Sequence, residues 1–313
     1  MGDFRIPLGD WVDAFVDFLS DGLGWLFDGI ATILSVVYDG LEWTLRTPSF
    51  WVIIAIFAVL AFAVKGVKLA LGTVLGLLLI VSIGQWENAM DTLALVLVAS
   101  AIAIAISIPV GIWAARNEHV SRAVRPALDF LQTMPAFVYL IPAIIFFGVG
   151  AVPGMIATIM FALAPGVRLT ELGIRGVDRE IVEAGHAFGA TPGRILRQIQ
   201  LPLAMPSIMA GVNQVIMLSL SMVVIAGMVG AGGLGGEIVR AIGRIDVGLG
   251  FEAGVSVVII AMILDRLTSA LAAPRVRRRG AARLTAGGSG AADAVDEVER
   301  EAASPRRQPT ALG

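Results

Sequence analysis

Residues 92–114 read TLALVLVASAIAIAISIPVGIWA, 23 consecutive positions without a charged side chain. At about 1.5 Å per residue a helix over this run reaches ~34 Å, enough to cross a hydrocarbon core of ~30 Å. Six further apolar segments flank it, at about 49–64, 67–84, 128–148, 152–172, 206–230 and 252–272. The first is short and draws on Trp51 and Lys65 as interface anchors. The segment at 128–148 contains Pro135 and Pro142. About seven transmembrane helices are therefore expected, in an all-α, polytopic membrane protein.

Composition points the same way. Of 313 residues, 57% are hydrophobic and 15% charged, where a soluble domain carries about 25% charge. The net charge of -2 favours neither nucleic acid nor an acidic partner. The chain has no cysteine, which excludes disulfides, thiolate metal sites and cysteine nucleophiles. Two histidines, His119 and His186, make a His-rich metal site an unpromising reading. The two lysines, Lys65 and Lys68, both follow valine, so no Gly-Lys phosphate loop is present. No cofactor is expected in this chain.

Basic residues alternate between the connections. Lys65 and Lys68 lie in the first link, and Glu87 and Asp91 in the next. Arg116, Arg122 and Arg125 follow, and the connection near 148–153 is uncharged. Arg175, Arg179, Arg194 and Arg197 occupy a long loop at 173–205. The connection near 231–251 is mixed, and Arg275, Arg277, Arg278 and Arg279 follow the last segment. Basic loops stay on the cytoplasmic side. The expected orientation is N-terminus outside and C-terminus cytoplasmic.

The two ends differ from the middle. In residues 1–48, Trp11, Phe15, Phe18, Leu19, Leu23, Trp25, Leu26 and Phe27 are interleaved with Asp10, Asp13, Asp17, Asp21 and Asp28. This gives an amphipathic helix that either lies in the membrane interface or packs on the protein. The acidic start is not that of a signal peptide. Residues 273–313 are rich in Gly, Ala, Ser and mixed charge, and read as a disordered cytoplasmic tail.

The loop at 173–205 is long for a membrane protein and is internally organised. It contains Glu183-Ala184-Gly185-His186-Ala187-Phe188-Gly189 and, after nine residues, Ile199-Gln200-Leu201-Pro202. Two short helices are expected, with a stop and restart at Gly189-Ala190-Thr191-Pro192-Gly193 and an end at Leu201-Pro202. Glu183 is expected near the first helix N-terminus. Ala184, Gly185 and Ala187 are expected to leave one face low enough for close docking.

The pattern E-A-A-x3-G-x9-I-x-L-P is the signature loop of permease subunits of ABC importers. The sequence resembles it at Glu183, Ala184, Gly185, Gly189, Ile199, Leu201 and Pro202, with full spacing. It departs at Gly185, where the family usually has Ala. The runs 201–214, 231–235, 263–268, 132–140 and 7–12 resemble the glycine betaine/proline (quaternary amine) permeases. That likeness covers nearly all of residues 1–272.

The resemblance implies a five-helix type I importer core at 92–272, preceded by two accessory transmembrane helices at 49–84. It implies that 183–202 couples to an ATPase subunit that binds ATP and Mg. It also implies the partners: two ABC ATPase subunits, a second copy of the permease and an extracytoplasmic substrate-binding protein, around a chain in the bacterial plasma membrane that is not itself an enzyme.

Polar residues at membrane depth are the candidates for a translocation path: Gln132, Thr133, Tyr139, Asn213 and Gln214. Hydrogen bonding between helices explains them equally simply. Pro109, Pro135, Pro142 and Pro165 bend helices, as a gate or as fixed architecture. Arg168 and Glu171, three apart, are expected to pair. Asp265 and Arg266 are expected to anchor the last span at the interface. The rival readings are an importer of another small solute such as an amino acid or taurine, an ion-coupled secondary transporter, and a membrane scaffold. No ionisable residue lies mid-span in the segments drawn, which counts against ion coupling.

Overall fold

The computed structural model describes residues 7–272, and among these there is no strand. The expected tail at 273–313 lies outside the described residues. Helices run α1 Leu8–Arg46, α2 Phe50–Lys65, α3 Val67–Ser82, α4 Trp86–Arg116, α5 Glu118–Thr133, α6 Leu140–Phe147, α7 Ala151–Arg175, α8 Arg179–Ala187, α9 Pro192–Ile195, α10 Leu201–Ser221, α11 Val223–Met228, α12 Gly233–Arg244 and α13 Val247–Ala272.

The centre is built from α4, α7 and α10, which pack along one another. Lipid gives no hydrophobic drive between apolar helices, so close backbone approach must supply the contact energy. Small residues permit it here. A Cβ at Gly111 would sit 2.6 Å from the Thr170 Cβ and 2.8 Å from the Val167 carbonyl oxygen. A Cβ at Gly166 would meet Ser107 Oγ at 2.5 Å. Thus α4 and α7 touch through backbone and short side chains, with Ala99, Ala103, Ala162 and Val215 fully buried in the same core.

Outside this centre, α13 packs on α10 and α12, and the pair α2–α3 packs on α13. The C-terminal half of α1 lies on α4 through buried Leu34, Tyr38 and Leu45. Phe27 stacks on Phe146 with ring centroids 4.5 Å apart. The far end of the bundle is tied by Arg46, which reaches Glu42 at 2.9 Å, Glu87 at 2.8 Å and Asp91 at 3.4 Å.

All seven apolar segments are helical, but the count of about seven spans is not reproduced by helix length. Five helices are long and apolar enough to cross a membrane: four from the expected segments, beginning at Trp86, Ala151, Pro192 and Val247, and also α1 from Gly9, where the sequence reads as an amphipathic segment. A sixth appears if α5 and α6 form one broken span, bent by 110°. Helices α2 and α3 have 16 residues each, or about 24 Å, shorter than a ~30 Å core. The expected span at 128–148 is thus not one helix. Met134 takes the extended backbone favoured before proline, and the chain restarts after Pro135 as a 3₁₀ turn over Ala136–Tyr139.

Candidate functional site

Residues 176–200 project from one end of the bundle, between α7 and α10. Both legs of this loop are clamped at their roots. A Cβ at Gly173 would meet Ser207 Cβ at 2.7 Å and the Ala204 carbonyl oxygen at 3.2 Å. Ile174, Leu196, Ala204 and Ile208 form a buried cluster there, with Leu201 packed against it.

Helix α8 is capped at both ends. The Asp178 carboxylate accepts from the Glu180 N–H at 2.9 Å, so Asp178 and Glu180 hold the N-terminus and Glu183 lies in the helix interior. At the other end Gly189 has φ +74°, its N–H donates to the His186 carbonyl, and the Ala190 N–H donates to the Gly185 carbonyl. This is the left-handed glycine stop with its paired 5→2 and 6→1 bonds. Pro192 then opens α9 at its first position.

The second helix does not end at Leu201-Pro202. Residues Leu196–Gln200 form a π-turn that runs straight into α10, giving one helix over 192–228. Pro202 has no N–H to donate to the preceding turn, and a π-turn just upstream accommodates the missing bond.

Gly185 faces inward. A Cβ there would lie 2.8 Å from Ile199 Cδ1 and 3.4 Å from Ile195 Cγ1, so the two halves of the loop pack on each other at this glycine. Ala184, Gly185 and Ala187 therefore do not share a free face: Gly185 is buried, while Ala184 and Ala187 are exposed. Glu183 and His186 are exposed as well. The large apolar side chains exposed within residues 176–200 are Ile181 and Phe188, the latter 92% exposed. Sequence reasoning passed over Phe188 because it falls in the unspecified part of the loop pattern. An exposed large apolar residue at a loop tip was the available signal. Arg116, Arg194 and Arg197 line a groove between the end of α4 and the second half of the loop.

The inner polar residues behave differently from one another. Asn213 Nδ2 donates to Asp265 Oδ1 at 3.3 Å, and Thr268 Oγ1 donates to Asn213 Oδ1 at 2.8 Å. Asn213 thus ties α10 to α13, and Asp265 turns toward the bundle instead of anchoring at the interface. Tyr139 is 1% exposed, donates its hydroxyl to the Leu131 carbonyl and meets Phe161 edge to face. Gln132, Thr133 and Gln214 remain exposed. Arg168 pairs with Asp129 and not with Glu171. Glu171, 6% exposed, accepts from Ser121 and Arg125 and pairs with Arg175.

Residues 107–278 match the family model of the binding-protein-dependent transport system inner membrane component. The chain belongs to this family. The permease is 48% identical over 264 residues to the glycine betaine transport system permease protein OpuAB of Bacillus subtilis, covering 84% of this chain and 94% of that protein. It is 49% identical over 269 residues to the glycine betaine/carnitine transport permease protein GbuB of Listeria monocytogenes, covering 85% and 95%. It is 47% identical over 266 residues to the glycine betaine/proline betaine transport system permease protein ProW of Escherichia coli, covering 85% and 75%. Among solved structures, an inward-facing form of the MetNI methionine ABC transporter superimposes on 60% of this chain and 94% of that one, with TM-score 0.56 at 22% identity. At that identity the likeness is one of fold. The protein is an importer permease subunit, and it is multi-pass in the inner membrane.

Proposed function

We propose that this permease imports glycine betaine, proline betaine or a related quaternary amine, driven by ATP hydrolysed in a separate ATPase subunit. The observation that carries the substrate reading is the identity of 47–49% to three permeases named for glycine betaine, extending over 84–85% of the chain. In this reading two copies of the permease work with two ATPase subunits, which bind ATP and Mg, and with an extracytoplasmic binding protein. The N-terminus lies outside and the C-terminus in the cytoplasm, in keeping with the alternation of basic loops. Residues 1–48 form the extracytoplasmic amphipathic segment, α2 and α3 are accessory membrane helices, and 92–272 is the core.

The loop that carries Glu183, Ala184, Gly185, His186, Gly189, Ile199, Leu201 and Pro202 is the ATPase-coupling loop in this reading. Its build supports the role. Gly185 and Ile199 hold the hairpin together from inside, Leu201 roots it, and Phe188 stands free at its tip. Gln132, Thr133 and Gln214 are the pathway residues that remain exposed, Thr133 bonding only to the Phe130 carbonyl of its own helix while Tyr139 and Asn213 are tied to other elements. In this reading specificity for the quaternary ammonium group lies mainly in the binding protein.

Reconstitution with the ATPase and binding protein in liposomes tests the reading through ATP-dependent uptake of labelled glycine betaine. Gly189→Pro is the control, since proline cannot adopt φ +74° and removes the N–H that reaches His186. Uptake that needs ATP and is lost in G189P supports machine and cargo together. ATP-driven uptake of a different solute alone overturns the cargo, and the absence of any ATPase association overturns the coupling role.

A further inference from the structure

Arg175 is the last residue of α7, immediately before the loop. Its guanidinium is divided among three elements. Nε meets Glu171 of α7 at 3.0 Å, Nη1 donates to Glu118 of α5 at 2.9 Å, and Nη2 donates to the Ala114 carbonyl of α4 at 2.9 Å. The Ala114 carbonyl is in the last turn of α4, where no intrahelical N–H is available, so Arg175 supplies a bond the helix end lacks. Glu171 gathers the other side. Its Oε1 accepts from Ser121 Oγ at 2.7 Å and from Arg125 Nη2 at 3.1 Å, both on α5.

These contacts sit where three constraints meet. Helices α4 and α7 cannot slide past each other, because Gly111 and Gly166 bring backbone against backbone or short side chains. The joint between α4 and α5 is the single extended residue Asn117, whose side chain caps α5 through the His119 N–H at 2.9 Å. Helix α5 meets α7 through one small apolar patch, Leu128 and Val124 against Ala164, Val167 and Leu163. Beyond that patch α5 is tied to α7 by the polar cluster at its N-terminal half, and it leads through Pro135 into the bent limb α6.

We propose that Arg175 and Glu171 form a clasp that carries displacement of the loop at 176–200 to α5 and so to the broken span. They are positioning residues that touch no solute. This rests on the coupling reading of the loop and adds the route by which the motion enters the membrane. Arginine is required because three partners in fixed directions need a planar fork, which a lysine ammonium does not offer. Glu171 Oε1 lies within 3.1 Å of the Arg125 guanidinium and 3.0 Å of that of Arg175, so one carboxylate oxygen serves both.

The test uses the full permease–ATPase complex with its binding protein in liposomes, comparing the unsubstituted chain with Glu171→Gln and Arg175→Lys. Three quantities are read: ATPase co-purification, ATP hydrolysis, and solute taken up per ATP. Both variants are expected to co-purify with the ATPase and hydrolyse ATP, while uptake per ATP falls on the order of tenfold, within the range usual for coupling between sites. The charge-conserving R175K keeps the test open if E171Q does not assemble. An unchanged ratio of uptake to hydrolysis in an assembled variant, whether both rates stay the same or fall together, overturns the clasp. If the unsubstituted chain fails to bind an ATPase, the coupling reading itself fails instead.

Discussion

Two glycine-to-alanine substitutions should differ sharply in cost because of what lies opposite each Cα. At Gly235, in α12, a Cβ would be 2.1 Å from the Val223 carbonyl oxygen and 2.8 Å from its carbonyl carbon. Ordinary C···O contact is about 3.3 Å or more, so more than an ångström must be found. The obstacle is the backbone of α11, which cannot rotate away, and the contact is as tight in the other direction, where a Cβ added at Gly227 would lie 2.3 Å from the Gly235 carbonyl carbon. The two helices must separate. The overpacking cost is about 1–3 kcal/mol or more, and the gain of ~1 kcal/mol from a better helix former offsets only part of it. At Gly185 the opposing atom is the Cδ1 tip of Ile199, at 2.8 Å. A rotamer adjustment there costs about 0.5–1.5 kcal/mol. Helix propensity returns ~1 kcal/mol and burial of the new methyl ~0.8 kcal/mol, so Gly185→Ala is expected to be neutral or slightly stabilising. Thermal unfolding of the purified permease in detergent, followed by tryptophan fluorescence, separates the two. A Gly235→Ala melting point equal to that of the unsubstituted chain, or a Gly185→Ala fall as large as that of Gly235→Ala, would refute the reasoning.

Removing the α10–α13 tie with Asn213→Ala should lower stability by about 1–2 kcal/mol. Thr268→Val in the same background should add little, because both belong to one network, and a double-mutant cycle on melting points showing full additivity would contradict this. Phe188→Ala should leave the melting point unchanged, since the ring is 92% exposed. It should weaken ATPase binding by about 2 kcal/mol, roughly 30-fold, if the ring fills a pocket on that subunit; equal affinity in a titration of the ATPase would remove Phe188 from the docking surface. If the N-terminal half of α1 rests in the membrane interface, Trp11 and Trp25, 61% and 73% exposed, should be quenched by lipids brominated near the headgroup. Quenching confined to tryptophans of the core would assign that half to a protein contact instead.

The helices were legible because long uncharged runs admit little else in a bilayer. The loop was legible because its stop and restart use residues with fixed backbone demands: Gly189 at φ +74° and Pro192 at the first helical position. The prolines were not separable from sequence. Pro109 and Pro165 lie inside continuous helices, whereas Pro135 marks a bend of 110°. What differs is the support: α4 and α7 are braced along their lengths by each other, and α5 is not. Spacing also misled at Arg168, which can reach Glu171 along one helix but instead meets Asp129, 39 positions away. Glu171 pairs with Arg175 one turn along its own helix, a spacing the sequence shows, but Ser121 and Arg125 reach it only because α5 packs on α7.

The fate of the polar side chains bears on where a solute could pass. Asn213 and Tyr139 spend their hydrogen-bonding groups inside the chain, on Asp265, Thr268 and the Leu131 carbonyl. Gln132, Thr133 and Gln214 are exposed on the surface of the single chain, not gathered in its interior. The interior is instead filled by Ala99, Ala103, Ala162 and Val215 at full burial, and by glycines that bring backbones into contact. A packed centre of this kind leaves no room for a solute between α4, α7 and α10. Polar groups facing hydrocarbon are costly, so exposed amides at membrane depth call for a surface or a watery cavity opposite them. In the proposed two-copy assembly a second permease would supply both, so the passage is expected between the two chains and a single chain is expected to transport nothing.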